Sequence, residues 1–473
     1  MLRNLSLNRA TVAHRCFLAR TLTASFVTKT PINGKPLQMA PMHSSIPVEE
    51  IVKPAAVDHL KNLSAQELVS LGVIGFATIN KPMLDLVLKV FPFVPVWVMK
   101  LLVSSLYCGG DNFKEVRETG ERLRVRGIKN MMLSLTIEDA EGTKNIDINH
   151  IVSETIASIH QILKPHLQKQ LDGAADVNTI PPGYIALKPS ALVKNPSETL
   201  LHFNDPAYQH QRDALVNNCT AITQEIFNLN QEFSKLYPQR KAPFFVSVID
   251  AEKYALQKSG VYELQRTLFQ KFNPKSSKMV SCVGTWQLYL QDSGADLMKD
   301  YERAEKEEYK LGLKIVRGAY IHSEPRRDAI IYPNQAGTDA NFNAVMSKVI
   351  CDLLSKGEKS IFGHLVIASH NYQSQKLATE MLKGHENNLG KSNVVLGQLL
   401  GMADNITHDL IVNHNAQNLI KYVPWGPPVE TKDYLLRRLQ ENGDAVRADN
   451  GFPLVIAVGK ALWRSISQRS STA

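Results

Sequence analysis

MMLSLTIED at 131–139 is a short, nearly unbroken apolar run that ends in two carboxylates. Seven more β-prone runs of the same kind follow it: GYIALKPS (183–190), FFVSVIDAE (244–252), KMVSCVGTWQ (278–287), GLKIVRGAY (312–320), HLVIASHN (364–371), NVVLGQ (393–398) and NLIKYVPWG (418–426). Most are continuously apolar rather than alternating, as in parallel strands covered on both faces. Stretches of helical character separate them, the longest at 150–180 and 195–240. Strand and helix alternating eight times predict an α/β chain folded as a distorted (βα)8 barrel. A doubly wound sheet is the competing arrangement. It lacks its usual support, because no G-x-G-x-x-G follows the first run and no G-x-x-x-x-G-K-[ST] occurs anywhere.

Outward from the barrel, which is expected over 129–466, the segment 49–128 reads as a helical N-terminal region. AQELVSLGVIGFATI (65–79) begins just after Ser64, which stands where an N-cap belongs. The stretch 83–108 is strongly apolar, but Asp85, Lys89 and Lys100 interrupt it and Pro92 and Pro95 break any helix. Its uncharged core, Val90 to Met99, is ten residues, about half a membrane span. It reads either as a buried segment or as a one-sided contact with a membrane surface. Further upstream, Arg3, Arg9, Arg15, Arg20, Lys29 and Lys35 precede the first acid, Glu49. This Arg-, Ser- and Thr-rich leader is expected to be a mitochondrial transit peptide over 1–30, with a basic tail as the plainer alternative.

The net charge is +9, and six of those charges lie in the leader, so 9 − 6 = 3 remain for the rest of the chain. That is too little to grip a phosphate backbone, so no nucleic-acid partner is expected. The apolar content of 44% is enough for a large core. Cys16, Cys108, Cys219, Cys282 and Cys351 form no C-x-x-C pair and have no His at ligand spacing. Disulfides and a metal site are therefore not expected.

Active residues of such barrels sit where strands end at the C-terminal face. Here those ends carry Glu138 and Asp139, Lys188, Asp250 and Glu252, Gln287, Lys314 and Arg317, His370 and Asn371, and Tyr422. Any one of them could be a solvated strand end, but seven strands ending in this way point to a site. After the eighth strand, VETKDYLLRRLQENG (429–443) reads as a helix, with Pro427 and Pro428 ahead of it and Gly443 as its stop. At about 100° per residue, Tyr434, Arg437, Arg438 and Glu441 share one face and Leu435, Leu436 and Leu439 face away. A wet polar face is the bland reading, supported by an Asp433–Arg437 pair. The functional reading is a pair of guanidinium groups that forks onto a carboxylate.

VRGAY (316–320), ASHN (368–371), GQLLGM (397–402) and YLLRRLQENG (434–443) resemble the proline dehydrogenase family, especially its eukaryotic mitochondrial members. DAE (250–252), GTWQLYL (284–290) and the lysine of ALKPSAL (186–192) fall in family order. The resemblance covers roughly 130–445. It implies a barrel holding FAD, oxidation of L-proline to Δ1-pyrroline-5-carboxylate, and transfer of electrons to ubiquinone at the mitochondrial inner membrane. It also implies that Arg437 and Arg438 bind the substrate carboxylate, supported by Glu441. Lys188 and Asp250 would close the pocket, and Tyr422 and Tyr434 would pack on the pyrrolidine ring. Gln287, Lys314, Arg317, Gly318, Ala319, Ser369, His370 and Asn371 would contact the flavin. The chain departs from the family pattern at Ser134, where members often carry Asp, at Tyr372, and at Val394–Val395–Leu396. The basic pair 314 and 317 has swapped types relative to some members, which leaves open which one approaches the flavin ring. Two other classes compete: a Schiff-base lyase using Lys188 on the same barrel, and a non-catalytic basic RNA- or membrane-binding protein.

Overall fold

The structure, a computed structural model, describes residues 58–137, 147–321, 323–385, 388, 390–432, 434–436, 438 and 451–470. The expected transit peptide, Glu138, Asp139, Asp433, Arg437, Leu439, Glu441 and Gly443 lie outside the described residues.

The eight apolar runs are all strands: β1 (Asn130–Leu135), β2 (Gly183–Leu187), β3 (Phe245–Ile249), β4 (Cys282–Gln287), β5 (Leu311–Val316), β6 (Phe362–Ala368), β7 (Val394–Leu399) and β8 (Leu419–Trp425). Each pairs in parallel with the next, and β8 pairs with β1, so the sheet closes into a barrel. Closure gives every strand two partners and leaves no exposed edge. Met132, Tyr184, Val246, Val248, Val283, Val366, Val395 and Ile420 fill the interior. The opposite parity, with residues such as Met131, Ile185, Phe245 and Leu365, packs against the surrounding helices in a second, larger core. Burial of both parities explains why the runs do not alternate.

In the N-terminal region lie α1 (Ala65–Ala77), α2 (Lys81–Val90) and α3 (Phe113–Val125). Around the barrel come α4 (Ile148–Ser158), α5 (Gln209–Leu236), α6 (Tyr262–Phe272), α7 (Ser293–Lys306), α8 (Gln335–Lys356), α9 (Tyr372–Leu382) and α10 (Asp404–Val412), with α11 (Gly451–Ser470) last in the chain. Ser64 caps α1 in a reciprocal box: its hydroxyl accepts the Glu67 N–H at 3.2 Å, and the Glu67 carboxylate accepts the Ser64 N–H at 2.8 Å. α11 lies along α1, where Gly75 admits Val455 so closely that an added Cβ would stand 3.1 Å from it.

The apolar segment 83–108 folds as α2, a turn at Phe91–Phe93 and further short helical turns to Tyr107. It divides between the two readings of its sequence. Leu84, Phe91, Met99, Leu106 and Tyr107 are buried in one cluster. Leu86, Val90, Phe93, Trp97 and Leu101 are exposed, Phe93 by 84% and Trp97 by 70%. Among the described residues no single helix is long and apolar enough to cross a membrane. Ala65–Ala77 and Lys81–Phe93 pass that test only together and are bent by 113°.

Candidate active site

Side chains alternate along a strand, so the interior parity can be followed to the C-terminal mouth of the barrel. Ser134 stands two residues beyond Met132, Lys188 two beyond Ala186, Asp250 two beyond Val248, Gln287 four beyond Val283, and Tyr422 two beyond Ile420. Lys314 is in register with the interior Val366. Six strands thus aim polar groups into one mouth.

Four of these groups form a single chain of contacts. The Tyr422 hydroxyl lies 2.8 Å from Asp250 Oδ2 and 2.8 Å from Ser134 Oγ. Lys314 pairs with the other oxygen of Asp250, and its ammonium stands 5.6 Å from the centroid of the Tyr422 ring. Burial, then the neighbouring Asp250 carboxylate, pushes the Tyr422 phenol well above its ordinary range, so it keeps its proton. An ionised carboxylate only accepts, so Tyr422 donates to Asp250 and Ser134 donates to Tyr422.

Gln287 is fully buried. Its Nε2 donates to the Glu252 carbonyl at 3.0 Å and to Tyr289 Oη at 3.0 Å. Its Oε1 has no hydrogen-bond partner among the described residues. A buried acceptor left in this state costs about 1–3 kcal/mol and calls for a donor from outside the chain. The loop after β5 is fastened beside it. The Tyr320 N–H donates to Tyr289 Oη at 3.2 Å, and the Tyr320 hydroxyl donates to the Ala251 carbonyl at 3.0 Å. Tyr289 and Tyr320 were not singled out from the sequence, although WQLY and GAY contain them. Gly318 and Ala319 form the bend leading into Tyr320, and a Cβ on Gly318 would collide with Ile321 at 2.4 Å.

The remaining candidates separate. His370 accepts the Leu399 N–H on Nε2 at 3.0 Å. Burial, with Lys421 and Arg438 nearby, lowers it to about 3, so the ring is neutral and carries its proton on Nδ1. Ser369 accepts the Asn371 N–H at 3.0 Å. Asn371 caps α9 by accepting the Ser374 N–H at 3.0 Å, which is a structural task for a residue assigned by resemblance to the cofactor. Arg317 points between α8 and α9: it pairs with Asp339, donates to Ser374 Oγ at 2.6 Å, and lies 4.9 Å from the Phe342 ring centroid.

Past β8, residues 428–432, 434–436 and 438 are helical. Tyr434 and Arg438 share a face as the spacing predicts, with the guanidinium 5.1 Å from the ring centroid. Tyr434 is among the groups that act on the Tyr422 phenol, and Arg438 is among those that act on His370. The helix therefore runs near the ends of β6 and β8. Leu435 and Leu436 pack on the cluster of Met99, Leu106 and Tyr107, and Lys432 donates to the carbonyls of Pro92 and Val94. Among the described residues no group of three His, Cys, Asp or Glu is arranged to hold a metal ion.

The family profile described as proline dehydrogenase matches residues 116–450. The chain belongs to the proline dehydrogenase family. Within it, similarity extends to proline dehydrogenase 1, mitochondrial, of Dictyostelium discoideum (26% identical, covering 71% of this chain and 60% of that protein). It also extends to the probable mitochondrial proline dehydrogenase of Schizosaccharomyces pombe (26% identical, covering 72% and 75%). Among solved structures, proline utilization A from Bdellovibrio bacteriovorus shares the fold at a TM-score of 0.55 and 18% identity, over 81% of this chain and 38% of that one. The chain thus spans three-fifths of the Dictyostelium relative and about two-fifths of the bacterial protein.

Proposed function

We propose that this chain oxidises L-proline to Δ1-pyrroline-5-carboxylate, the first step of proline catabolism to glutamate, with FAD as its cofactor and ubiquinone as electron acceptor. The observation that carries the reading is the Ser134–Tyr422–Asp250–Lys314 chain in the barrel mouth, with the helix of Tyr434 and Arg438 nearby. FAD, when bound, supplies the acceptor for the hydride lost from the ring carbon beside nitrogen. The orphaned oxygen of Gln287 fits an isoalloxazine edge, which carries an N–H donor. Lys314 offers the positive charge that a cofactor gaining electrons calls for. Ser369 and His370, with the bend of Gly318 and Ala319, complete the proposed cradle, whereas Asn371 caps α9 and the Arg317 side chain turns away to Asp339.

Arg437 and Arg438 bind the substrate carboxylate by bidentate pairing, and Glu441 offsets their charge. Lys188 closes the pocket from the barrel side. Its charge and those of the two arginines lower the proton affinity of the ring nitrogen, favouring the neutral amine whose lone pair the oxidation requires. Tyr422 and Tyr434 wall the pyrrolidine ring. A bulky phenol at 422 crowds a 4-hydroxyl group, so proline is strongly preferred over hydroxyproline.

The basic leader and the mitochondrial names of the relatives support a mitochondrial location, and the family resemblance implies the matrix side of the inner membrane. The exposed face of Leu86, Val90, Phe93 and Trp97 supports peripheral contact with that membrane. The test is direct. Purified protein should be yellow and should bleach when proline is added without oxygen. Arg437→Met or Arg438→Met should raise the proline KM by roughly 30- to 150-fold with FAD retained, from about 2–3 kcal/mol per charged pair. A colourless protein trapped by borohydride with its substrate would instead support the lysine chemistry of a lyase.

A further inference from the structure

Ser134, a small hydroxyl at the barrel mouth, is in direct contact with Tyr422. It is almost fully buried, at 1% exposure, on the interior face of β1. Its hydroxyl reaches the phenol of Tyr422 at 2.8 Å, across the pairing that closes the barrel, where Met132 is in register with Tyr422. Tyr422 is therefore tethered at one oxygen from two sides. Asp250, just past β3, accepts the phenolic hydrogen bond, and Ser134 on β1 donates one to the same oxygen. Asp250 is itself held by Lys314 from β5. A phenol with a single tether can swing about that bond; one held from both sides cannot. An aspartate at 134, acceptor-only when ionised, would compete with Asp250 for the one phenolic proton instead of completing the chain.

We infer that Ser134 is a positioning residue that locks the Tyr422 ring in place and thereby sets the discrimination against ring-substituted pyrrolidines such as 4-hydroxyproline. The inference rests on the reading above in which Tyr422 packs on the substrate ring. Its consequence is specific: loss of the Ser134 hydroxyl lets the phenol yield, and the hydroxylated ring gains more than proline does.

The readout is the ratio of kcat/KM for proline to that for 4-hydroxyproline, measured on flavin-loaded full-length enzyme. Ser134→Ala should lower this ratio by roughly 5- to 10-fold, the value of one neutral hydrogen bond. Ser134→Thr, which keeps a hydroxyl, should stay within about twofold of the parent. Ser134→Val has nearly the shape of threonine without the hydroxyl, so it should follow the alanine variant if the bond rather than the volume matters. Thermal melts of all three serve as the structural control, since a merely structural serine would change melting without changing selectivity. Unchanged ratios in both Ser134→Ala and Ser134→Val overturn the inference while leaving proline oxidation intact. A parent protein that holds no flavin and oxidises no proline removes the underlying reading and this one together.

Discussion

At the scale of single residues, Lys314 and Arg317 show how three positions along a chain separate two roles. Lys314 is on the interior parity of β5 and ends against Asp250, whereas Arg317 lies past the strand and turns outward to Asp339, Ser374 and Phe342. Burial lowers the Arg317 guanidinium to about 10, still charged at neutral pH. Lys314→Met is therefore expected to shift the visible spectrum and the reduction potential of the flavin proposed for this site and, because it strands Asp250, to lower stability as well. Arg317→Met is expected to lower stability by about 2–3 kcal/mol in urea, because it strands Asp339, while the spectrum stays put. The reverse pattern would exchange the two assignments. The candidate site was legible in sequence to the extent that parity is: Lys188, Asp250, Gln287 and Tyr422 are each an even step from an interior apolar residue. The part that was not legible is pairwise. Nothing in the spacing of Ser134 and Tyr422 tells that strands first and last in the barrel put their hydroxyls 2.8 Å apart. Nor does ASHN disclose that Asn371 spends its oxygen on capping α9.

At the scale of elements, the strands were readable because both of their faces are covered, which makes each a continuous apolar run with a polar end. The segment 83–108 was ambiguous for a physical reason: it does two things at once. One side, with Leu84, Phe91 and Met99, joins the cluster that also holds Tyr434 and Leu435. The other side leaves Leu86, Val90, Phe93, Trp97 and Leu101 in solvent. Composition cannot separate a half-buried segment from a fully buried one, and exposure does. Lys81 and Lys89 are exposed on the same helix, α2, and their charge suits anionic headgroups. Phe93→Ser together with Trp97→Ser should weaken binding to cardiolipin-containing vesicles by at least about tenfold, since each ring contributes on the order of 1–2 kcal/mol to interfacial burial. Because both side chains are already exposed, the melting temperature should hold. Vesicle binding equal to the parent would assign membrane contact to another surface.

At the scale of the whole molecule, closure of the barrel ties its two ends to one unfolding event, and two histidines of the β6 segment report on that. His364 lies within the strand, fully buried. It accepts the Tyr184 hydroxyl on Nε2 at 2.8 Å, and burial lowers it to about 4. His370 lies just beyond the other end of the strand at about 3. Each is neutral in the folded chain, whereas the unfolded chain protonates near 6.5. The folded values are depressed, so the stability these residues preserve is complete above pH 6.5 and is lost as the pH falls toward 4 and 3. Within that window the unfolded state binds up to two more protons than the native one, a slope of about 1.4 kcal/mol per pH unit for each ring. Since every strand is hydrogen-bonded to two others, the fully buried His364 ring cannot reach water without opening the barrel; His370, half-buried just past β6, is held neutral by its surroundings and by accepting the Leu399 N–H, and the slopes should add in the global transition. Urea unfolding of the parent should therefore lose about 2–3 kcal/mol more between pH 6 and pH 5 than a His364→Gln, His370→Gln double variant, with each single variant about halfway between. Above pH 7 all four curves should run parallel. A parent whose acid slope matches that of the double variant would mean that these rings already exchange protons with solvent in the folded state, and the barrel ends would be looser than their packing implies.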